Sequence, residues 1–181
     1  MRISTPLLFC CLALPAATLA ADADKAIYGL NEYAQFPELE LKLPAKLDTG
    51  AQTASLSARN VERFRRDGEA WVRFNIAVDG APEQTLERPL ARISRIKRRA
   101  GDYNPEQDNK SYTARPVVEM DVCLGNRLRR IEVNLTDRSA FEYPLLIGST
   151  ALSEFGALVD PSLTYAAGQP GCKANLATAA E

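Results

Sequence analysis

An all-β chain with one short helix is the fold class the sequence predicts, and three observations predict it. Apolar and polar residues alternate along several short runs, the period of half-buried strands. Glycine, asparagine and aspartate turn signals separate the runs, and strands so short and so often punctuated build a sandwich or a closed barrel. Only residues 149–155 combine a helix-compatible composition with little turn character.

The elements follow in order. Residues 26–34 form the first expected strand. Residues 39–47 alternate, with Leu39, Leu41, Leu43, Ala45 and Leu47 on one face. A second alternating stretch covers residues 54–58. Residues 71–78 repeat the pattern and end at Asp79-Gly80, a tight-turn dipeptide. Residues 116–124 and 128–135 read as two strands joined at Gly125-Asn126. Residues 143–148 are a short apolar run ending at Gly148, which suits a buried strand. A helix is expected over 149–155, then a last strand over 157–160, closed by Pro161. The basic run Arg95-Ile96-Lys97-Arg98-Arg99 precedes a polar, turn-rich stretch over 101–111. Two readings stay open for it. It is a solvated hairpin tip, or a flap with Arg95, Ile96 and Lys97 beside a cleft that takes a carboxylate-bearing ligand. Residues 168–181 read as a flexible tail, leaving one domain over 24–167.

Bulk properties narrow the function. The 181 residues carry a formal net charge of -1, with 46% hydrophobic and 25% charged residues. That balance is globular, and it indicates no nucleic-acid partner. Arg2, the apolar stretch from Pro6 to Leu14 and the small residues from Pro15 to Ala23 have the layout of a secretory signal peptide, cut after Ala20 or Ala23. The expected mature protein is periplasmic and has no membrane span. Cys123 and Cys172 remain after that cut. In an oxidising compartment they pair, or they persist as two free thiols; the spacing does not choose. The chain has no histidine, which removes Ser-His-Asp, Cys-His and histidine-zinc constellations. It also has no phosphate-binding glycine loop. No cofactor and no metal is expected.

The motif that carries chemistry is Lys46-Leu47-Asp48-Thr49-Gly50-Ala51. An apolar strand delivers the Asp48 carboxylate, Thr49 is placed to hydrogen-bond an opposing copy, and Gly50 permits a close backbone approach. Two such carboxylates sharing one proton activate a water, one as base and the other as acid. Ala51 cannot donate a hydrogen bond to the carboxylate, which favours activity closer to neutral pH. About a hundred residues later comes Leu145-Leu146-Ile147-Gly148-Ser149-Thr150-Ala151-Leu152, in which Ile147 and Gly148 are placed to thread beside the Asp48 loop. No second Asp-Thr-Gly or Asp-Ser-Gly exists: Asp67 and Asp79 read as hairpin turns, and Asp160 precedes proline. The second carboxylate then comes from another copy, so a twofold homodimer is expected.

These segments, with residues 46–58, 63–74 and 158–162, make the chain resemble the bacterial retropepsin-like proteins known as ATP-dependent zinc proteases and associated with RimK-type ligases. The likeness runs from about residue 27 to 165. It implies a single-lobe acid-protease barrel, an aspartyl catalytic group and dimeric assembly. Family members typically carry histidine at the position of Ser57, a basic residue at Gln52 and often arginine at Ser149. The expected function is a periplasmic aspartic endopeptidase acting on a narrow set of proteins or peptides through an Asp48 dyad. The alternative is a catalytically silent binding or regulatory module on the same fold. A metal-dependent hydrolase using Asp, Glu or Cys ligands is a third reading.

Overall fold

The computed structural model describes residues 25–81, 83–97 and 112–172. Ten strands and one short helix follow in the order β1 (Ala26–Phe36), β2 (Leu41–Asp48), β3 (Ala54–Arg66), β4 (Glu69–Ile76), β5 (Leu86–Pro89), β6 (Arg92–Lys97), β7 (Tyr112–Leu124), β8 (Arg127–Thr136), β9 (Leu145–Gly148), α1 (Ser149–Glu154) and β10 (Ala157–Thr164). A 3-10 turn at Pro37–Leu39 joins β1 to β2. Glu40 leaves that turn at φ 50°, so β2 starts at Leu41, two residues later than the alternation implies. Among the described residues, no helix is long and apolar enough to cross a membrane.

Six strands close into a barrel. The circuit runs β1-β2-β9-β3-β8-β7 and returns to β1, because Ala34 and Gln35 pair with Leu124 and Cys123. Closure satisfies the backbone donors and acceptors that an open edge would leave unpaired. The apolar sides of the strands meet inside: Phe36, Leu43, Leu47, Leu56, Ile131, Leu145 and Ile147 are all fully buried. Each such side chain contributes about 1.5–3 kcal/mol of hydrophobic stabilisation. Three appendages leave the circuit. β10 lies parallel to β1, β6 pairs with β7, and β4 and β5 extend from β3.

Two departures from the sequence pattern have physical causes. β3 continues to Arg66, well past residue 58. Its second half leaves the barrel and pairs with β4, so it buries no apolar stripe to betray a strand. Phe64 and Trp71 meet there with ring centroids 6.4 Å apart, and the Arg66 guanidinium lies 4.4 Å from the Trp71 centroid. β10 does not stop at Pro161 but runs on to Thr164. The register along β1 shifts between Gly29 and Asn31, so Pro161 falls in an irregular stretch with no paired partner, where its missing N–H costs nothing.

A fully buried carboxylate fastens this irregular stretch. Glu32 Oε1 accepts from the Gly29 amide at 2.6 Å, and both its oxygens accept from the Ala167 amide at 3.2 Å. At Gly29 a side chain would collide with the Leu163 carbonyl oxygen at 2.6 Å. The chain beyond β10 then straps back over the barrel. Tyr165 stacks on Tyr33 at 4.5 Å, Lys42 Nζ donates to Gln169 Oε1 at 2.7 Å, and the Gly171 amide donates to the Gly125 carbonyl at 2.9 Å. Cys123 and Cys172 form a disulfide with Cα atoms 5.9 Å apart. Residues 168–172, the start of the expected tail, are therefore tied down; the remaining tail and the expected signal peptide lie outside the described residues.

Replacing Glu32 by alanine removes the acceptor from one buried amide, Gly29, and one half-buried amide, Ala167. Unfolding stability should fall by about 3 kcal/mol, at roughly 1–3 kcal/mol per orphaned donor. Urea unfolding measures the loss, and Glu32→Gln, which keeps one acceptor oxygen, should lose less.

Candidate active site

Asp48 is the last residue of β2 and lies beside Gly148 of β9 in a parallel pairing. The alternation of β2 turns Leu43, Ala45 and Leu47 into the core and sends Lys46 and Asp48 to the outer face. Immediately after Asp48 the chain reverses. The Gly50 amide donates to Asp48 Oδ1 at 2.9 Å, and the Ala51 amide donates to the Asp48 carbonyl at 3.3 Å. One carboxylate oxygen is thus held by its own loop.

The end of β9 crosses beneath this loop. The Ser149 amide donates to the Ala51 carbonyl at 2.7 Å and the Thr150 amide to the Gln52 carbonyl at 3.2 Å. The crossing is so close that a Cβ on Gly148 would sit 2.7 Å from Gln52 O and 2.9 Å from Ala51 O. Ile147 beside it is fully buried and anchors the crossing in the core. Asp48, Thr49, Gly50, Ala51, Ile147 and Gly148 therefore form one connected unit. Asp48 is half-buried, whereas Thr49 and Gly50 are exposed, and the Thr49 hydroxyl has no hydrogen-bond partner among the described residues. Asp160 accepts from the Ser162 amide and hydroxyl at 2.9 and 2.7 Å, as a turn residue does.

A polar layer covers the outer face beside Asp48. Ser55, Ser57 and Asn134 are buried there. Arg138, only 6% exposed, donates from Nη1 to Ser55 Oγ at 2.7 Å and from Nε to the Tyr143 carbonyl at 3.0 Å, and its amide donates to Ser57 Oγ at 3.3 Å. Its guanidinium lies 4.7 Å from the Phe141 centroid. Burial, and then the neighbouring Arg115 charge, push the Arg138 pKa down, while the Asp48 charge opposes them. Arg115 is half-buried on β7, and burial lowers its pKa too. Its Nη1 reaches Asn134 Oδ1 at 3.4 Å, and its Nε is buried without a partner. Asn134 Nδ2 in turn donates to the Ala54 carbonyl at 2.7 Å. Neither arginine has a carboxylate hydrogen-bonded to it among the described residues.

Beside Lys46 is a cavity of about 460 Å³ lined by Leu30, Asn31, Lys46, Phe141, Glu142 and Tyr143. Arg95, Ile96 and Lys97 lie at the far end of β6, paired with Ala114, Thr113 and Tyr112. The Arg95 guanidinium is 5.1 Å from the Tyr112 centroid. The remainder of that basic run and the turn-rich stretch lie outside the described residues. The residue of β6 that touches the Asp48 loop is instead Arg92, through Thr53.

Arg92, Arg115, Arg138 and Asn134 escaped the sequence reading. Arg138 sits in Asp137-Arg138-Ser139, which reads as an ordinary polar turn, and nothing local signals its burial. A zinc site does not fit: the chain has no histidine, and no group of three or more Cys, Asp or Glu side chains among the described residues could hold an ion.

Gly148→Ala tests the crossing. Its Cβ meets backbone, which cannot swing aside, so the variant should lose about 1–3 kcal/mol of stability and any hydrolytic activity with it. Thermal unfolding and turnover measured on the same preparation check both.

The family model for the RimB-like, retropepsin-like aspartic endopeptidases matches residues 27–170, the same span in which the sequence resemblance lies. A probable alpha-L-glutamate ligase of Desulfotalea psychrophila is 32% identical over 155 residues, which cover 83% of this chain and 31% of that protein. One from Shewanella pealeana is 33% identical, over 82% of this chain and 31% of its own length. The chain thus spans about a third of the length of these curated relatives. A solved structure of a Legionella pneumophila protein of unknown function is 35% identical, with a TM-score of 0.64, covering 80% of this chain and 99% of that one. On this evidence the chain belongs to the RimB-like family of retropepsin-like aspartic endopeptidases.

Proposed function

We propose that the protein is a periplasmic aspartic endopeptidase that works as a twofold homodimer and cleaves acidic, glutamate-containing peptides. The observation that carries the catalytic part is the Asp48 loop itself. A carboxylate is braced by the Gly50 amide, locked by the β9 crossing and flanked by Thr49 and Gly50, which are exposed. A twofold axis beside the loop would set the two Asp48 carboxylates together and let Thr49 reach the partner.

In the dimer the two carboxylates share one proton. The ionised one takes a proton from a water held between them as the water oxygen bonds to the scissile carbonyl carbon. The protonated one gives its proton to the carbonyl oxygen. Proton transfer to the amide nitrogen then lets the C–N bond break, releasing a carboxyl group and an amine. Only this chain's residues and water take part.

Arg115 and Arg138 support the acidic substrate. A guanidinium stays charged at neutral pH, so two half-buried or buried cations close together, with no carboxylate hydrogen-bonded to either among the described residues, are electrostatically costly. An incoming carboxylate relieves that cost and leaves neutral peptides at a disadvantage. The names of the relatives point the same way, since a segment similar to this chain lies within longer proteins called glutamate ligases. The Cys123–Cys172 disulfide supports the oxidising compartment.

Asp48→Asn should fold as the parent does and lose cleavage by about 10³-fold or more. Mixing it with parent protein should depress activity beyond simple dilution, because mixed dimers carry one competent carboxylate. Full activity in Asp48→Asn would end the reading, and absence of cleavage by the parent protein itself would favour the binding module. Arg115→Gln should raise KM for acidic peptides by about tenfold, the worth of one charge-assisted hydrogen bond, while neutral peptides are affected little.

A further inference from the structure

Among the described residues, β6 is joined directly to the Asp48 loop through the Arg92 side chain. Arg92 is the first residue of β6, at the base of the hairpin, where the adjoining Ala91 amide is anchored to the Val117 carbonyl at 2.9 Å. Its Nε and Nη2 donate to Glu132 Oε2 on β8 at 2.8 and 2.6 Å, and Nη2 also donates to Thr53 Oγ1 at 3.1 Å. Thr53 follows Gln52, whose carbonyl accepts from Thr150 over the Gly148 crossing. The next residue, Ala54, is gripped through its carbonyl by Asn134, which Arg115 of β7 touches. Both strands of the hairpin therefore address residues 53 and 54, β6 directly and β7 through one intermediary.

The Arg92 contact makes little sense as a stability device. The Arg92 and Glu132 side chains are 42% and 37% exposed, and ion pairs that wet contribute little to folding. What the arrangement does supply is geometry. A rigid planar fork holds a β8 carboxylate and a loop hydroxyl at once, which a lysine ammonium on a flexible stem does not reproduce.

We infer that Arg92 is a positioning residue that ties β6 and β8 to the Asp48 loop through Thr53 and so holds the reacting carboxylate in its orientation. This rests on the peptidase reading above. The guanidinium fixes Thr53 next to the two carbonyls that the β9 crossing holds, so the end of the loop is braced from both sides.

Amide hydrogen exchange of the full chain tests the link without any substrate. In Arg92→Ala and in Thr53→Val, exchange at Gly50 and Ala51, the amides bonded to Asp48, should quicken by about tenfold, while amides in β8 and β1 keep parent rates. The double variant should go no further than either single one, since both remove the same contact. Arg92→Lys should behave as the alanine variant does. With a library of glutamate-containing peptides, kcat should fall by about tenfold at nearly constant KM in each variant. Unchanged exchange at Gly50 and Ala51, or losses that add in the double variant, overturns the proposal. Asp48→Asn run in parallel separates the two readings. If it retains cleavage, the peptidase reading fails, whereas if it loses cleavage while Arg92→Ala keeps full kcat, only the coupling fails.

Discussion

The crossing of β9 beneath the loop after Asp48 is the constraint on which the rest of the site depends. Two backbone segments pass within a distance that no side chain tolerates, and Gly148 is the residue that lets them pass. Two amide-to-carbonyl hydrogen bonds fix the crossing, and fully buried Ile147 roots it in the barrel. The carboxylate is then carried by a frame rather than by a free loop. Rigid support of this kind is what a reacting group requires, since small displacements of such groups are costly in rate. It also explains why the loop tip faces outward, because its inner side is already occupied by its own chain.

Around this frame the barrel wears its polarity on the outside. Ser55, Ser57 and Asn134 are buried although they lie on the outer face of the strands, because the segment after β8 folds over them and brings Arg138 down. The arginine is held by uncharged acceptors, the Ser55 hydroxyl and the Tyr143 carbonyl. Arg115 approaches from the hairpin with one nitrogen unsatisfied. A purely structural layer would pair these cations with Asp or Glu, as Arg92 is paired with Glu132 and Arg130 with Asp121. Among the described residues, Arg115 and Arg138 have no carboxylate hydrogen-bonded to them, in contrast to these rim arginines.

Away from the site, the termini of the fold are fastened by different chemistry. Glu32 spends a buried carboxylate on two backbone amides, and the disulfide ties the strap to β7. Both hold the strap that follows β10, at Ala167 and at Cys172. Tyr165 in that strap stacks on Tyr33, and burial, then the Glu142 charge and then Tyr165 raise the Tyr143 pKa. The fastening therefore reaches the segment that also holds Arg138.

Much of this was legible in the residues taken alone. Period-2 alternation marked β2, β4, β7 and β8, because each buries one face and exposes the other. Asp48-Thr49-Gly50 and Ile147-Gly148 stood out because their chemistry is local: an acid, a hydroxyl and glycines where backbone must approach backbone. The outer half of β3 and the continuation of β10 past Pro161 were not legible, since neither buries an apolar stripe. The roles of Arg92, Arg115, Arg138 and Glu32 were not legible either. A charged residue in a polar stretch looks alike in sequence whether it meets water or is folded under a neighbouring segment. The sequence by itself determined which residues could react and that the chain would be β-rich. Only the tertiary structure decided which cations surround Asp48 and which hydroxyl ties its loop to the hairpin, because burial and long-range pairing arise when distant strands are brought side by side.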